Sequence, residues 1–141
     1  MQRGRRIAFD YGDVRIGVAV CDADGILASP LTTLRSTDKA LKNKLLEIFR
    51  EFEPIRIYIG KPSNMDGSSG SAVDKALEFC DFLVTLTHSP VELIDERLST
   101  VSGARSLRDS GVGSKESKFR IDEAAAVAIL EFALSIEKNR T

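Results

Sequence analysis

Residues 5 to 22, RRIAFDYGDVRIGVAVCD, hold two apolar runs separated by a short polar interval. Ile7, Ala8 and Phe9 form the first run and Ile16 to Cys21 the second. Asp10 closes the first, and Tyr11-Gly12-Asp13-Val14 connects them. Short β-rich runs joined by a glycine-containing turn predict a hairpin. A third run, Ile26 to Leu34, follows the turn-like Asp22-Ala23-Asp24-Gly25. Its Pro30 cannot donate to a ladder and so favours an edge strand. These three strands are read as an antiparallel meander.

The period then changes. Leu41, Leu45, Ile48, Phe49 and Phe52 recur at helical spacing, with Ser36, Thr37 and Asp38 available to cap the start and Pro54 marking the end. RIYIG (56–60) is a short buried strand, followed by the polar loop KPSNMDGSSGS and a second amphipathic helix from about Ala72 to Leu86. VELID (91–95) is another strand. A weaker helix is expected around Thr100 to Asp109, stopped by Gly111, and GVGSKESKFR (111–120) reads as a flexible basic loop. The last helix, opening near Ile121, carries AAAVAILEFAL, apolar almost all round and so suited to burial against a sheet. The sum is an α/β protein: a three-stranded antiparallel meander followed by βαβα steps, giving a five-stranded mixed sheet. With 141 residues, one domain over residues 1–141 is expected, and no repeat or linker divides it.

Composition narrows the chemistry. A formal net charge of -1 gives no overall basic excess, so attraction for phosphate must come from local clusters. Cys21 and Cys80 lack CxxC spacing and read as reduced core thiols. A single histidine, His88, leaves little material for a zinc site or a Ser-His-Asp triad. Neither a signal peptide nor a membrane span is expected, and the setting predicted is cytoplasmic.

Three acidic positions occupy comparable places. Asp10 ends the first strand, Asp95-Glu96 ends the last, and Asp122 opens the buried helix. Ligands of open α/β sheets gather outside the carboxyl ends of the strands. Carboxylates brought together there repel unless a hard cation joins them, and Mg²⁺ prefers such oxygen ligands while keeping waters for a phosphate. Each acid also has a plainer explanation: Asp122 as a helix N-cap, Glu96 in a surface pair with Arg97, Asp10 in an Asx turn with Gly12.

The stretches IAFDYGDVRIGVAV, IGKPSNMDGSSG, DERLST and IDEAAAVAIL follow one another as in the YqgF (RuvX-like) family, which this chain resembles over nearly its whole length. The resemblance implies an RNase H-like fold with helices on both faces of the sheet. It also implies a nuclease, described in that family as a Holliday junction resolvase or as an enzyme maturing the 5′ end of pre-16S rRNA. By the same resemblance Asp10, Glu96 and Asp122 are the catalytic and metal-holding acids, working with Mg²⁺ or Mn²⁺, two ions being expected. Two departures stand out: Lys61 precedes the motif proline where the family usually has an apolar residue, and Glu123 stands where it often has Gln. Asp122 is preferred over Glu123, which lies about 100° further round a helix.

Around these acids, Arg97, Lys115, Lys118 and Arg120 are candidates for tracking a phosphate backbone, with Lys61 and Asn64 as further contacts and Gly12 as the turn that leaves room. The partner expected is nucleic acid, structured RNA or a branched DNA junction, and both a monomer and a homodimer are compatible with the sequence. Two rivals carry other predictions. DYGDVRIGVAV is also similar to the phosphate loop of actin-like ATPases, which predicts ATP binding. A non-catalytic RNA-binding module would bind without needing the acids.

Overall fold

Backbone pairing extends both apolar runs beyond their hydrophobic residues. The computed structural model describes residues 1–61, 71–95 and 115–140. Strands β1 (Arg6–Tyr11), β2 (Arg15–Cys21) and β3 (Ala28–Arg35) form the antiparallel meander. Strands β4 (Arg56–Lys61) and β5 (Val91–Asp95) continue the sheet parallel to β1, giving the order β3-β2-β1-β4-β5. The mixed five-stranded sheet is the one expected. Asp10, however, does not end β1. Pairing continues to Tyr11↔Ile16, so Asp10 lies within the ladder, opposite Gly17.

The third strand starts later than its apolar run. Asp22 Oδ1 accepts from the Ile26 and Leu27 amides at 2.7 and 2.9 Å, which bends the chain there and leaves both side chains exposed. Pro30 does occupy an edge strand, beside a register shift between Val18 and Ala19.

Helix α1 (Leu41–Phe52) begins at an Ala40 cap with no side-chain hydrogen bond. The expected cap, Asp38, instead accepts the Ala40 amide at 2.8 Å in the turn leading in. At the far end Glu53 adopts φ 45°, its amide closing on the Phe49 carbonyl at 2.9 Å, and Pro54 follows. Helix α2 (Ser71–Val84) stops short of Leu86. Both helices cover one face of the sheet, where Leu45, Phe49, Phe79 and Leu83 pack on Ile7, Phe9, Ile16, Val18, Ile57 and Ile59.

Helix α3 (Lys115–Asn139) covers the other face and starts well before Ile121. Lys115, Lys118 and Arg120 therefore stand in its opening turns and not in a loop; the polar residues there conceal the helix from an apolar-periodicity search. Nor is α3 buried all round. Ala125, Ala126, Ile129, Leu130, Ala133 and Leu134 form a buried stripe against Ala8, Ala19, Cys21, Tyr58 and Ile94, while Ala124 and Glu131 are exposed. The alanines of the stripe let the helix axis approach the sheet closely. The helix expected around Thr100 to Asp109 lies outside the described residues. Among the described residues, no helix is long and apolar enough to cross a membrane.

One end of α3 is pinned by a buried ion pair. Arg6, fully buried, donates to Glu137 through Nη2 at 2.9 Å and Nε at 3.2 Å, and Tyr58 donates its hydroxyl to Glu137 Oε2 at 2.6 Å. Burial alone would push the Glu137 carboxyl up, but the hydrogen bonds from Arg6 and Tyr58 outweigh it and hold the group below its ordinary 4.5. A carboxyl so depressed contributes stability above its unfolded pKa, and that contribution is lost as pH falls through the folded value. Glu137→Gln should cost about 1–3 kcal/mol at pH 7, from a buried arginine left poorly satisfied. The urea midpoints of wild type and variant should converge as the pH drops below 4.5.

Candidate active site

The other end of α3 meets the carboxyl edge of the sheet. Side chains alternate along β1, so Arg6, Ala8 and Asp10 share the α3 face while Ile7 and Phe9 turn to α1 and α2. Directly opposite Asp10 on β2 is Gly17. A Cβ at Gly17 would lie 2.1 Å from the Asp122 carbonyl oxygen and 2.5 Å from its carbon. The helix backbone thus occupies the space a side chain would need, and Asp10 and Asp122 come to flank the same glycine. Both acids are buried, at 2% and 1% exposure.

Asp122 is not a helix cap. It extends the buried stripe of Ala125 and Ala126 towards the helix start, a carboxylate at a position where packing alone would select an apolar side chain. Arg15, at the start of β2, donates to it from Nε at 2.7 Å. Glu123, one residue on, points elsewhere and accepts from Thr33 Oγ1 of the edge strand at 3.3 Å. Opposite Arg15 in the β2–β3 register stands Arg35, and opposite Gly17 stands Thr33. The α3 face of this edge therefore carries two arginines beside two buried acids.

The β1–β2 turn forms the rim. The Gly12 amide donates to the Arg15 carbonyl at 2.9 Å, and a Cβ on Gly12 would come within 2.8 Å of that oxygen, so the tight turn requires glycine. Ser36 fixes the turn from β3, its hydroxyl donating to the Gly12 carbonyl at 2.5 Å and its amide to the Val14 carbonyl at 2.9 Å. On the opposite side Asp13 pairs with Lys75 of α2 at 2.9 Å. Tyr11 packs on Phe79 with ring centroids 4.7 Å apart, and burial, then the Asp13 charge, raises its phenol pKa. Between turn and helix opens a cleft of about 160 Å³ lined by Gly12, Asp13, Val14, Arg15 and Asp122. Asp122 lines it, whereas Asp10 is not among its walls.

Of the residues singled out in the sequence, the structure brings together Asp10, Asp122 and Gly12. Lys61 is exposed and follows Ile57 and Ile59 in strand alternation, so it faces the α1–α2 side, across the sheet from Asp10. Glu96, Arg97 and Asn64 lie outside the described residues, as do the side chains of Lys115, Lys118 and Arg120. Arg15 and Gly17 escaped the sequence reading. A signal for both was present in DVRIG, where Arg and Gly alternate with apolar residues and so share the face opposite Ile16.

Among the described residues no three Asp, Glu, His or Cys side chains gather into a metal site. Two buried carboxylates on adjoining elements are nonetheless a hard-oxygen donor set of the size Mg²⁺ uses, since that ion takes one or two carboxylates and fills its remaining positions with water and phosphate. The residues present fit such an ion.

A family model described as RuvX, Holliday junction resolvase, matches residues 4–136. A Streptomyces coelicolor relative is 46% identical over 140 residues, covering 98% of this chain and 84% of its own. One from Mycobacterium ulcerans is 46% identical over 132 residues, covering 92% and 77%. Both carry the provisional name pre-16S rRNA nuclease. Among solved structures, Thermus thermophilus RuvC superposes with a TM-score of 0.58 at 16% identity, over 96% of each chain. The same protein in complex with a Holliday junction substrate gives 0.55, over 95% of this chain and 96% of the other. At that identity the likeness is one of fold, an RNase H-like sheet.

Proposed function

Because the chain belongs to the RuvX family, a family of nucleases acting on nucleic acid, we propose that it hydrolyses a phosphodiester at the 5′ end of pre-16S rRNA, with Asp10, Glu96 and Asp122 as its metal-holding acids. The observation that carries this reading is the pair of carboxylates buried at 2% and 1% on either side of Gly17, at the edge where open sheets take their ligands. Burying two carboxylates costs folding energy, which the Arg15 guanidinium offsets at Asp122 and a bound cation would offset at the pair.

Mg²⁺ or Mn²⁺, as two ions, would supply an activated water and neutralise the charge that develops on the phosphate. The protein's part is positional. Strand β1 holds Asp10 rigidly within a ladder, α3 holds Asp122, and Glu96 follows directly on the end of β5. The cleft beside the Gly12 turn admits the scissile phosphate. Lys118 and Lys115 precede Asp122 by about one and two helical turns, a spacing suited to tracking a backbone towards it, with Arg120, Arg97, Asn64 and Lys61 as further contacts. Lys61 would reach nucleic acid only where it wraps the sheet edge. No nucleophilic side chain is needed. One domain over residues 1–141, working in the cytoplasm on ribosome precursors, completes the proposal.

The family description favours a second substrate, the four-way DNA junction. A resolvase makes two symmetric cuts and so acts as a dimer. Both substrates should be offered in parallel, with Mn²⁺, Mg²⁺ or chelator. Metal-dependent trimming of 5′-extended rRNA precursor with the junction left intact is the expected result. Paired, symmetric cuts in the junction with the RNA untouched would replace the rRNA reading by the resolvase one, and cutting of neither would remove the nuclease proposal.

A further inference from the structure

Arg15 occupies a place that a cation-dependent nuclease needs for something else. Its Nε lies 2.7 Å from Asp122 Oδ2, and a guanidinium and a divalent cation cannot share that carboxylate without strong repulsion. The partners differ in access: Asp122 is 1% exposed and the Arg15 side chain 21%. The arginine can therefore leave by rotating its own side chain, with the helix and the carboxylate staying in place. Where it would go is also visible. Arg15 and Asp122 both line the cleft of about 160 Å³, several times the roughly 30 Å³ share of one water and wide enough for a phosphate group. Across the β2–β3 ladder Arg35 stands directly opposite Arg15.

We propose that Arg15 is a displaceable counter-cation. It neutralises Asp122 while the metal is absent, yields that carboxylate when a divalent cation arrives, and turns within the cleft it lines to take a phosphate of the nucleic acid. No bond is made or broken in this exchange; one cation replaces another on Asp122. The inference rests on the metal-nuclease reading of the same site and adds to it an order of events, metal before tight substrate. It also explains how buried acids persist in a protein without its metal.

The test uses the full chain and needs no turnover. Mn²⁺ alone is titrated calorimetrically into wild type, Arg15→Gln, Arg15→Lys and Arg35→Gln. Losing the competitor should tighten Mn²⁺ binding by about threefold or more in Arg15→Gln, with Arg15→Lys in between. Arg35→Gln removes the same charge one strand away and should stay within about twofold of wild type. Affinity for a 5′-extended rRNA hairpin is then measured against salt, in chelator and with Ca²⁺ as an oxygen-seeking ion. With Ca²⁺, Arg15→Gln should lower the salt slope by about 0.9, the value of one phosphate contact, and in chelator it should leave the slope unchanged. An Mn²⁺ affinity equal to or weaker than wild type in Arg15→Gln overturns the exchange while leaving the nuclease reading intact. So does a loss of RNA affinity that is the same with and without metal. Wild type that takes up no Mn²⁺ removes both.

Discussion

Gly17→Ala should be the most damaging single-methyl change in the described chain. The added carbon would lie 2.1 Å from the Asp122 carbonyl oxygen, 2.5 Å from its carbon and 3.2 Å from the Glu123 nitrogen. All three are backbone atoms of α3, so no side-chain rotation relieves the clash. Either the helix lifts from the sheet or β2 retreats from β1. The first opens the stripe of Ala125, Ala126, Ile129 and Leu130 that seals this face. The second breaks the ladder around Asp10↔Gly17. Overpacking in a tight core costs about 1–3 kcal/mol where side chains can adjust, and here they cannot, so about 3 kcal/mol or more is expected. In a chain of 141 residues that lowers Tm by about 10 °C or more, readable in a thermal melt. Any Gly17→Ala protein that still folds should bind divalent metal poorly, because the two acids are held on either side of this contact. A melt within a degree or two of wild type would mean that α3 sits further from β2 than described.

Much of this architecture was legible as periodicity. The switch from strand-like to helical spacing after residue 35, the edge proline and the short apolar runs at 56–60 and 91–95 gave the five-stranded mixed sheet, while the order β3-β2-β1-β4-β5 comes from the structure. Asp10 stood out because it interrupts an apolar run. What periodicity reports is which residues of a segment are buried, and the rest of the site depends on which segments meet. Arg15 and Asp122 lie far apart in sequence, as do Arg6 and Glu137, and nothing local to either residue announces its partner. Gly17 passes for one more small residue in an apolar run, since only the docked helix shows why a side chain is forbidden there. The opening turns of α3 are polar, so apolar spacing places the start of the helix near Ile121 and makes Asp122 its opening residue. Ile26 and Leu27 mislead in the opposite sense, being apolar but held in a turn by the Asp22 carboxylate. The carboxyl-edge position of the acids suggested a cation, and the motif resemblance supplied what neither that nor periodicity could, the choice of Asp10, Glu96 and Asp122 as one set.

Asp10→Asn should abolish metal-dependent cleavage while leaving a folded protein. The amide matches the carboxylate in shape, so the ladder around Asp10 and its neighbours Ala8 and Gly17 need not move. What changes is charge, and with it the ability to hold a hard cation. Altering a residue that merely supports a metal ligand costs about 10–100-fold, so removing a ligand's own charge should exceed about 100-fold in cleavage rate. A loss of that size could also come from misfolding, and a second reading separates the two. A ligand that binds only the native state stabilises it by RT ln(1 + [L]/Kd), about 2.7 kcal/mol at a hundredfold excess over Kd. Mn²⁺ should therefore raise the Tm of wild type by several degrees and that of Asp10→Asn scarcely at all, whereas both should melt cooperatively in chelator. Cleavage near the wild-type rate by the variant would show that Asp10 is not a ligand.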